Sequence, residues 1–313
     1  MHASRLYWSI FWQRNAGVQG IFAATLLFLV AYAILFPGLL RVDSIAKLSQ
    51  SWFPLAAAAM GQAVIMLVGG IDLAIGAIVS IGCVLSATVI GQTPAGMAGG
   101  IVLVLASGTA IGALTGRLIT ALQLPPIIVT LATSFVWTGV ALLIMPIPGG
   151  EVPAVLCDSL AGNVPAALAV AVVLMLAWKL WMLTPQGLAL VASGDNPLGA
   201  FRSGLNVRRA LVAGYAVSGT LAALAGFFIA LQTGSGDPTI GAPYTLNSIT
   251  AAVLGAVAFT GGQGTMRGTL AGALLLTVMI SVMFFLGISA FYQYIAQGLV
   301  IIAAVAIPLL RRR

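Results

Sequence analysis

Ten stretches of mostly apolar residues run through this chain, each between 15 and 23 residues long. A helix needs about 20 apolar residues to cross a bilayer, and a backbone in lipid must satisfy its own hydrogen bonds. The sequence therefore predicts an all-α integral membrane protein with about ten transmembrane helices. The stretches lie at about 20–40, 51–69, 71–91, 97–116, 125–146, 164–183, 210–232, 247–261, 268–287 and 290–310.

The charged residues predict the orientation of these spans. Only 6% of the 313 residues are charged, whereas soluble domains carry about a quarter. If the N-terminus is cytoplasmic, eleven basic residues fall on the inside and two, Arg41 and Lys47, on the outside. Because cytoplasmic loops are enriched in Lys and Arg, this predicts a multi-pass membrane protein with both termini cytoplasmic. The net charge of +7 then indicates inside loops rather than nucleic acid as a partner.

The longest polar stretch, 184–209, falls on the cytoplasmic side of this topology. Thr184-Pro185 and Asn196-Pro197 each pair an N-cap residue with a proline at the first helical position. We therefore predict two short helices, at roughly 185–193 and 197–203, ended by Gly194 and Gly204.

The second of these helices is expected to present Leu198, Ala200 and Phe201 on one side. An apolar face on a polar loop predicts a partner outside the membrane, which we take to be a cytoplasmic motor subunit. A long connector without any partner is the alternative. The residues predicted to couple to the partner are Asn196, Pro197, Leu198, Phe201, Arg202 and Gly204.

Two glycine pairs suggest a weak internal repeat of two halves. Gly69-Gly70 and Gly261-Gly262 lie 192 positions apart, each near the predicted cytoplasmic end of a span. Transporters are often built from repeated halves that share one pathway. We predict that the two pairs, together with Asp72, form gates or hinges.

Asp72 is the acid closest to an apolar environment, where a carboxylate is costly. It is interpreted as a cap or ion-pair partner at a backbone break, or simply as the N-cap of the third span. Arg267, in the matching break, is either a basic anchor or an ion-pair partner.

Polar and aromatic residues inside the spans are candidates for the solute pathway, although Ser and Thr at helical spacing more often join helices. The predicted pathway residues are Gln62, Thr133, Ser134, Phe135, Asn247 and Phe259, with Ser80, Thr130, Trp137 and Thr250 as further candidates. Outside, Glu151, Asp158 and Asp237 either contact a docking protein or keep their loops solvated.

No catalytic or metal-binding set is found in the sequence. It has no GxxxxGK[ST] phosphate loop, no metal-spaced His/Cys cluster and a single histidine, His2. We expect no enzyme activity, no metal and no cofactor in this chain, so that any ATP and Mg would be bound by a partner.

Three segments resemble the membrane permeases of ribose-type ABC importers, in the superfamily shared with branched-chain amino acid permeases. They are GGIDLAIGAIVS at 69–80, TPQGLALVASGDNPLGAFRSGLNVRRALVAGYAVSGTLAALAGFF at 184–228 and ITAAVLGAVAFTGGQGTMRGTLAGALLL at 249–276. The resemblance implies a single permease domain, 1–313, of type II ABC importer architecture, with a coupling loop at 184–209. It implies cytoplasmic ABC ATPase subunits, a second permease subunit, identical or different, and a periplasmic solute-binding protein as partners.

The chain departs from that family at two places. Thr245-Leu246-Asn247-Ser248 stands where the family usually has an acid and then Asp-Ala, which puts an outer-end contact in doubt. Gly255-Ala256 stands where Gly-Gly is frequent. The expected solute is a sugar or sugar-like molecule; the alternatives are branched-chain amino acids, nucleosides or an ion-coupled secondary transporter.

Overall fold

The computed structural model describes residues 2–310, with side chains described from residue 19 onward except at 290, 301 and 304–310. Within this range the chain forms α-helices, one short 3-10 helix at Pro37–Leu40 and no named strand. The helices are α1 His2–Leu35, α2 Val42–Leu67, α3 Ile75–Val89, α4 Pro94–Leu122, α5 Pro126–Ile144, α6 Ala154–Ala161, α7 Ala166–Met182, α8 Pro185–Asp195, α9 Pro197–Arg202, α10 Val207–Thr233, α11 Ala242–Leu254, α12 Met266–Phe285 and α13 Ala290–Leu310.

Each predicted span coincides with one helix, and the all-α membrane architecture is confirmed. By length and apolar composition, α4, α5, α10 and α12 can each cross a membrane alone. The bent pair α6 and α7, at 74°, would make a fifth. Within the described residues the count of ten is therefore not reached on this criterion, since several predicted spans are short or interrupted helices. The tail Arg311–Arg313 lies outside the described residues.

The N-caps predicted from sequence are present. Thr184 Oγ1 accepts from the Gly187 N–H over 3.2 Å, and Asn196 Oδ1 accepts from the Gly199 N–H over 2.9 Å. Each cap satisfies one of the free N–H groups that every helix start leaves. These bonds explain why the polar loop becomes two helices.

Helix α10 lies in the centre of the bundle, against α2, α3 and α4. Small residues allow these crossings, because a β-carbon at Gly226 would lie 2.6 Å from the backbone nitrogen of Cys83 on α3. Such close backbone approach is typical of helix pairs in membranes. Phe228 on α10 packs on Phe53 of α2, with ring centroids 4.2 Å apart.

The predicted span at 247–261 differs most from the structure. Its helix, α11, starts at Ala242 and ends at Leu254, and a non-helical segment precedes it. That segment begins near the end of α3, where Gly236 lies against Ala87, and reaches the start of α3, where Gly241 lies against Gly76. Residues 238–241 of this segment form turns, so this part of the chain does not belong to a helix, and hydropathy alone could not show this.

The repeat of two halves has a structural counterpart. α2, a break and α3 are matched by α11, a break and α12, and shifting the start of α3 by 192 positions leads to the start of α12. The helices before the breaks match less well, since α11 ends five residues before the position equivalent to Leu67.

Candidate functional site

The C-terminal end of helix α8 packs against both glycine breaks. The Gly262 N–H donates to the Leu67 carbonyl over 2.9 Å, so the end of α2 is bonded to the loop after α11. Gly194 of α8 lies against both, since a β-carbon there would collide with the Leu67 carbonyl oxygen and approach Gly262 N to 2.8 Å. We call Leu67, Gly194, Gly261 and Gly262 the junction. It joins the polar loop to both repeated halves.

Three of the four predicted hinge glycines, all except Gly70, have the backbone conformation that favours glycine. Gly69, Gly261 and Gly262 have φ of 79°, 86° and 69°, which a residue with a β-carbon rarely adopts. A β-carbon at Gly261 would also lie 2.6 Å from the carbonyl oxygen of Gly194. Both breaks are therefore tight turns packed on α8; their opening and closing remains a prediction.

Asp72 is buried in the first break, and it is not the N-cap of α3, because that position is occupied by Ala74. Its Oδ1 accepts from the Ala74 N–H over 2.9 Å, and its Oδ2 accepts from the Ser218 hydroxyl over 3.4 Å. No ion pair holds it: among the residues with described side chains, the one ion pair joins Arg41 and Asp43. The ion-pair interpretations of Asp72 and Arg267 are thus not supported, and Arg267 is exposed.

The first break is held by side chains from two helices, α2 and α10. Gln62 of α2 is fully buried, and its amide donates to the Asp72 carbonyl over 3.0 Å and accepts from the Asp72 N–H over 3.3 Å. From α10 come Ser218 and Tyr215, whose buried hydroxyl has no hydrogen-bond partner in the described residues. Gln62 therefore braces the break. Neither Ser218 nor Tyr215 was a sequence candidate, because nothing local on α10 points to a break 140 residues earlier.

Helix α9 is mostly exposed, whereas α8 buries one side, including Leu190 and Gly194, and exposes Leu188 on the other. Leu198 and Phe201 are 58% and 69% exposed, and Asn196, Pro197 and Arg202 are exposed as well. The prediction that Ala200 shares their face is wrong, because Ala200 is 5% exposed and turned toward the bundle.

The two predicted helix stops differ. Gly204, with φ of 81°, ends the α9 turn as predicted. Gly194 does not end α8, which continues to Asp195; its missing side chain serves the junction.

A cleft of about 280 Å³ lies between α3, α5 and the start of α11. Five hydroxyl side chains line it together with apolar residues and glycine, and we call the space they enclose the cleft. These residues are Ser80, Ser134, Thr138, Thr239 and Thr245.

Of the six predicted pathway residues, Ser134 lines the cleft and the other five do not. Phe135 is 72% exposed on the outer side of α5, and Phe259 lies in the second break. The hydroxyl of Thr133 donates to the Thr130 carbonyl of its own helix. Asn247 is partly buried on α11.

Thr245, at the departure from the acidic pattern, packs near the start of α3 against Gly76 rather than at an outer end. Thr245 lines the cleft because the non-helical segment 236–241 brings the start of α11 beside α3. The sequence did not reveal this segment.

The two remaining long loops meet at the opposite end of α3. Gly149 and Gly236 exchange hydrogen bonds of 2.9 and 2.7 Å, and the Glu151 N–H donates to the Ala87 carbonyl over 3.1 Å. Glu151 and Asp158 are exposed, and Asp237 accepts from the N–H and hydroxyl of Thr239. The loops predicted to share the outer side therefore lie together, away from the junction.

The comparison with known families identifies the chain. Residues 44–305 match the family described as branched-chain amino acid transport system / permease component. The chain belongs to this family. The matched range includes both breaks, α8, α9 and the cleft, and the chain is a multi-pass membrane transport subunit.

Curated relatives cover most of the chain at about a third identity. The ribose import permease of Bacillus subtilis is 33% identical, over 91% of this chain and 91% of that protein. The galactose/methyl galactoside import permease of Haemophilus influenzae is 32% identical, over 81% and 82%. The fructose import permease of Rhizobium meliloti is 32% identical, over 79% and 72%. No solved structure gives a significant match.

Proposed function

We propose that this chain is the permease subunit of an ATP-driven ABC importer that moves a sugar or sugar-like solute across the bacterial inner membrane. The relatives with a stated solute include permeases for ribose, galactose and fructose. The solute delivered by a periplasmic binding protein would cross between this chain and a second permease subunit.

The observation that carries the proposal is the difference between α8 and α9. Leu198 and Phe201 of α9 are exposed, while α8 packs against both breaks at Gly194. Two large apolar side chains exposed on a six-residue helix need a partner to bury them. A cytoplasmic ATPase that grips α9 would move α8 with it, and α8 contacts both halves at the junction.

The mechanism follows from these contacts. ATP and Mg, bound by the partner, supply the energy, and this chain converts movement of α9 into a change at the ends of α2 and α11. The Leu67–Gly262 hydrogen bond links the two breaks, so a displacement of α8 would act on both halves. No covalent chemistry is required of this chain, only two conformations that the ATPase states bind differently.

The test is transport by the complex purified through a tag on this chain. Proteoliposomes with the co-purified ATPase and a loaded periplasmic binding protein should take up D-ribose, D-galactose or D-fructose only when ATP is supplied. Leucine and adenosine in the same assay decide against the branched-chain amino acid and nucleoside alternatives. Uptake driven by an ion gradient without ATP would contradict the proposal and favour a secondary transporter.

A further inference from the structure

We infer that the cleft is a binding station for one uncharged, hydroxyl-rich molecule of monosaccharide size. The inference deepens the proposed function and rests on it, because it assigns residues of this chain to the solute. Sites for drug-sized ligands enclose roughly 300–1,000 Å³, so a cleft of about 280 Å³ suits a smaller molecule.

The lining has the chemistry of a sugar site. The hydroxyls of Ser134, Thr138 and Thr245 reach the cleft from two different helices, α5 and α11. Among the described residues, neither the Thr138 hydroxyl nor the Thr245 hydroxyl makes a hydrogen bond, and neither oxygen is a buried atom without a partner. A threonine hydroxyl both donates and accepts, as sugar hydroxyls do, so each can bond to a polyol in either sense.

The backbone on one side of the cleft supports the same conclusion. Pro238 and Thr239 belong to the non-helical segment 236–241, which consists mainly of turns and lies beside α3. Non-helical backbone at membrane depth is tolerated where it is buried or lines a polar cavity. Ser80 holds this segment in place, because its hydroxyl accepts from the Gly241 N–H over 3.0 Å.

The charges around the cleft disfavour anionic solutes. No charged side chain lines it among the described residues. The acids that adjoin lining residues in sequence are Asp72, which bonds to Ala74 and Ser218, and Asp237, which bonds to Thr239. With these two carboxylates and no cation lining the cleft, an anionic sugar would lack a counter-charge.

The first experiment removes hydroxyls from the cleft in the reconstituted complex. Thr138→Val and Thr245→Val should each lower ATP-driven uptake of the transported sugar about 3- to 10-fold, as expected for one lost hydrogen bond. ATPase activity stimulated by the loaded binding protein should stay within about twofold. Thr88→Val is the matched control, since Thr88 lies on α3 outside the cleft and its hydroxyl donates to the Val84 carbonyl of its own helix.

Serine variants distinguish the loss of the hydroxyl group from the change in side-chain shape. Thr138→Ser and Thr245→Ser keep the hydroxyl and should restore at least half of the uptake. Uptake by the valine variants equal to that of Thr88→Val, or a loss that serine does not restore, would overturn the inference. A wild-type complex that shows no ATP-driven sugar uptake would instead overturn the proposed function.

A second readout needs neither ATPase nor transport. In the purified chain, Thr138→Cys should react with a small thiol reagent, and 100 mM of the sugar should slow that reaction at least threefold, whereas Thr88→Cys should be unaffected. Equal rates with and without D-ribose, D-galactose and D-fructose would contradict the assignment of the cleft.

Discussion

The two short helices of the polar loop, α8 and α9, differ in what they touch. Leu190 of α8 is fully buried and Gly194 fits against backbone on two sides, whereas Leu198 and Phe201 of α9 are mostly exposed. One residue, Asn196, separates the helices and caps the second. The difference indicates a division of roles, in which α9 binds a partner and α8 transmits its movement to the breaks.

The largest effect should come from filling the space at Gly194. Gly194→Ala places a methyl group against the Leu67 carbonyl, and we expect the free energy of unfolding to fall by about 3 kcal/mol, with transport lost. The melting temperature in detergent measures it. Gly99→Ala on α4, where a β-carbon meets nothing within 4 Å, is the control and should be neutral or stabilising by up to about 1 kcal/mol. Unchanged stability in Gly194→Ala would show that α8 is not tightly seated.

The complementary change is on α9. Leu198→Ser and Phe201→Ser should leave the melting temperature unchanged, because both side chains are exposed, and should weaken ATPase binding about tenfold or more each. Co-purification and titration of the ATPase measure this. Leu40→Ser, which removes an 81% exposed leucine far from the loop in sequence, is the control. If the variant that combines Leu198→Ser and Phe201→Ser still binds the ATPase fully, α9 is not part of the interface.

Asp72 tests whether the breaks beneath α8 have to move. Asp72→Asn keeps an oxygen that can accept from the Ala74 N–H, so assembly and folding should survive. It replaces a buried carboxylate that has no cationic partner, and we expect uptake to fall several-fold, about 1 kcal/mol in the barrier. Uptake equal to that of the wild type would show that the negative charge of Asp72 is dispensable for transport.

The smallest effect concerns the second break. Ala256 has φ of 62°, a conformation costing roughly 1–2 kcal/mol in residues other than glycine. Ala256→Gly should therefore raise the free energy of unfolding by about 1 kcal/mol, measured by thermal unfolding. Ala258→Gly in the same loop is the control and should not stabilise the protein.

Local features were predictable from the sequence, and contacts between distant segments were not. The caps Thr184 and Asn196 and the turn at Gly204 depend on neighbours within a few residues, so the sequence predicted them correctly. Gly194 was interpreted as a helix stop, because its actual neighbours, Leu67 and Gly262, come from other parts of the chain.

The cleft was missed for a related reason. Hydropathy predicted a span at 247–261 because the residues are apolar, but the helix starts at Ala242 and the non-helical segment 236–241 precedes it. That segment and the start of α11 bring Thr239 and Thr245 to the cleft that Ser80 of α3 also lines. Ser134 of the predicted pathway residues and Ser80 of the further candidates line this cleft, and the pattern of polar residues within one span could not distinguish Ser134 from Thr133.

The most direct test of the account asks which side of the membrane α9 occupies. Leu198→Cys is treated with a membrane-impermeant maleimide in right-side-out and inside-out vesicles. Cys157, which lies on α6 and is partly exposed, is an internal reference, while Cys83 is buried. The account predicts that residue 198 is labelled only in inside-out vesicles and Cys157 only in right-side-out vesicles. Labelling of both residues from the same side, or of residue 198 from outside, would contradict it.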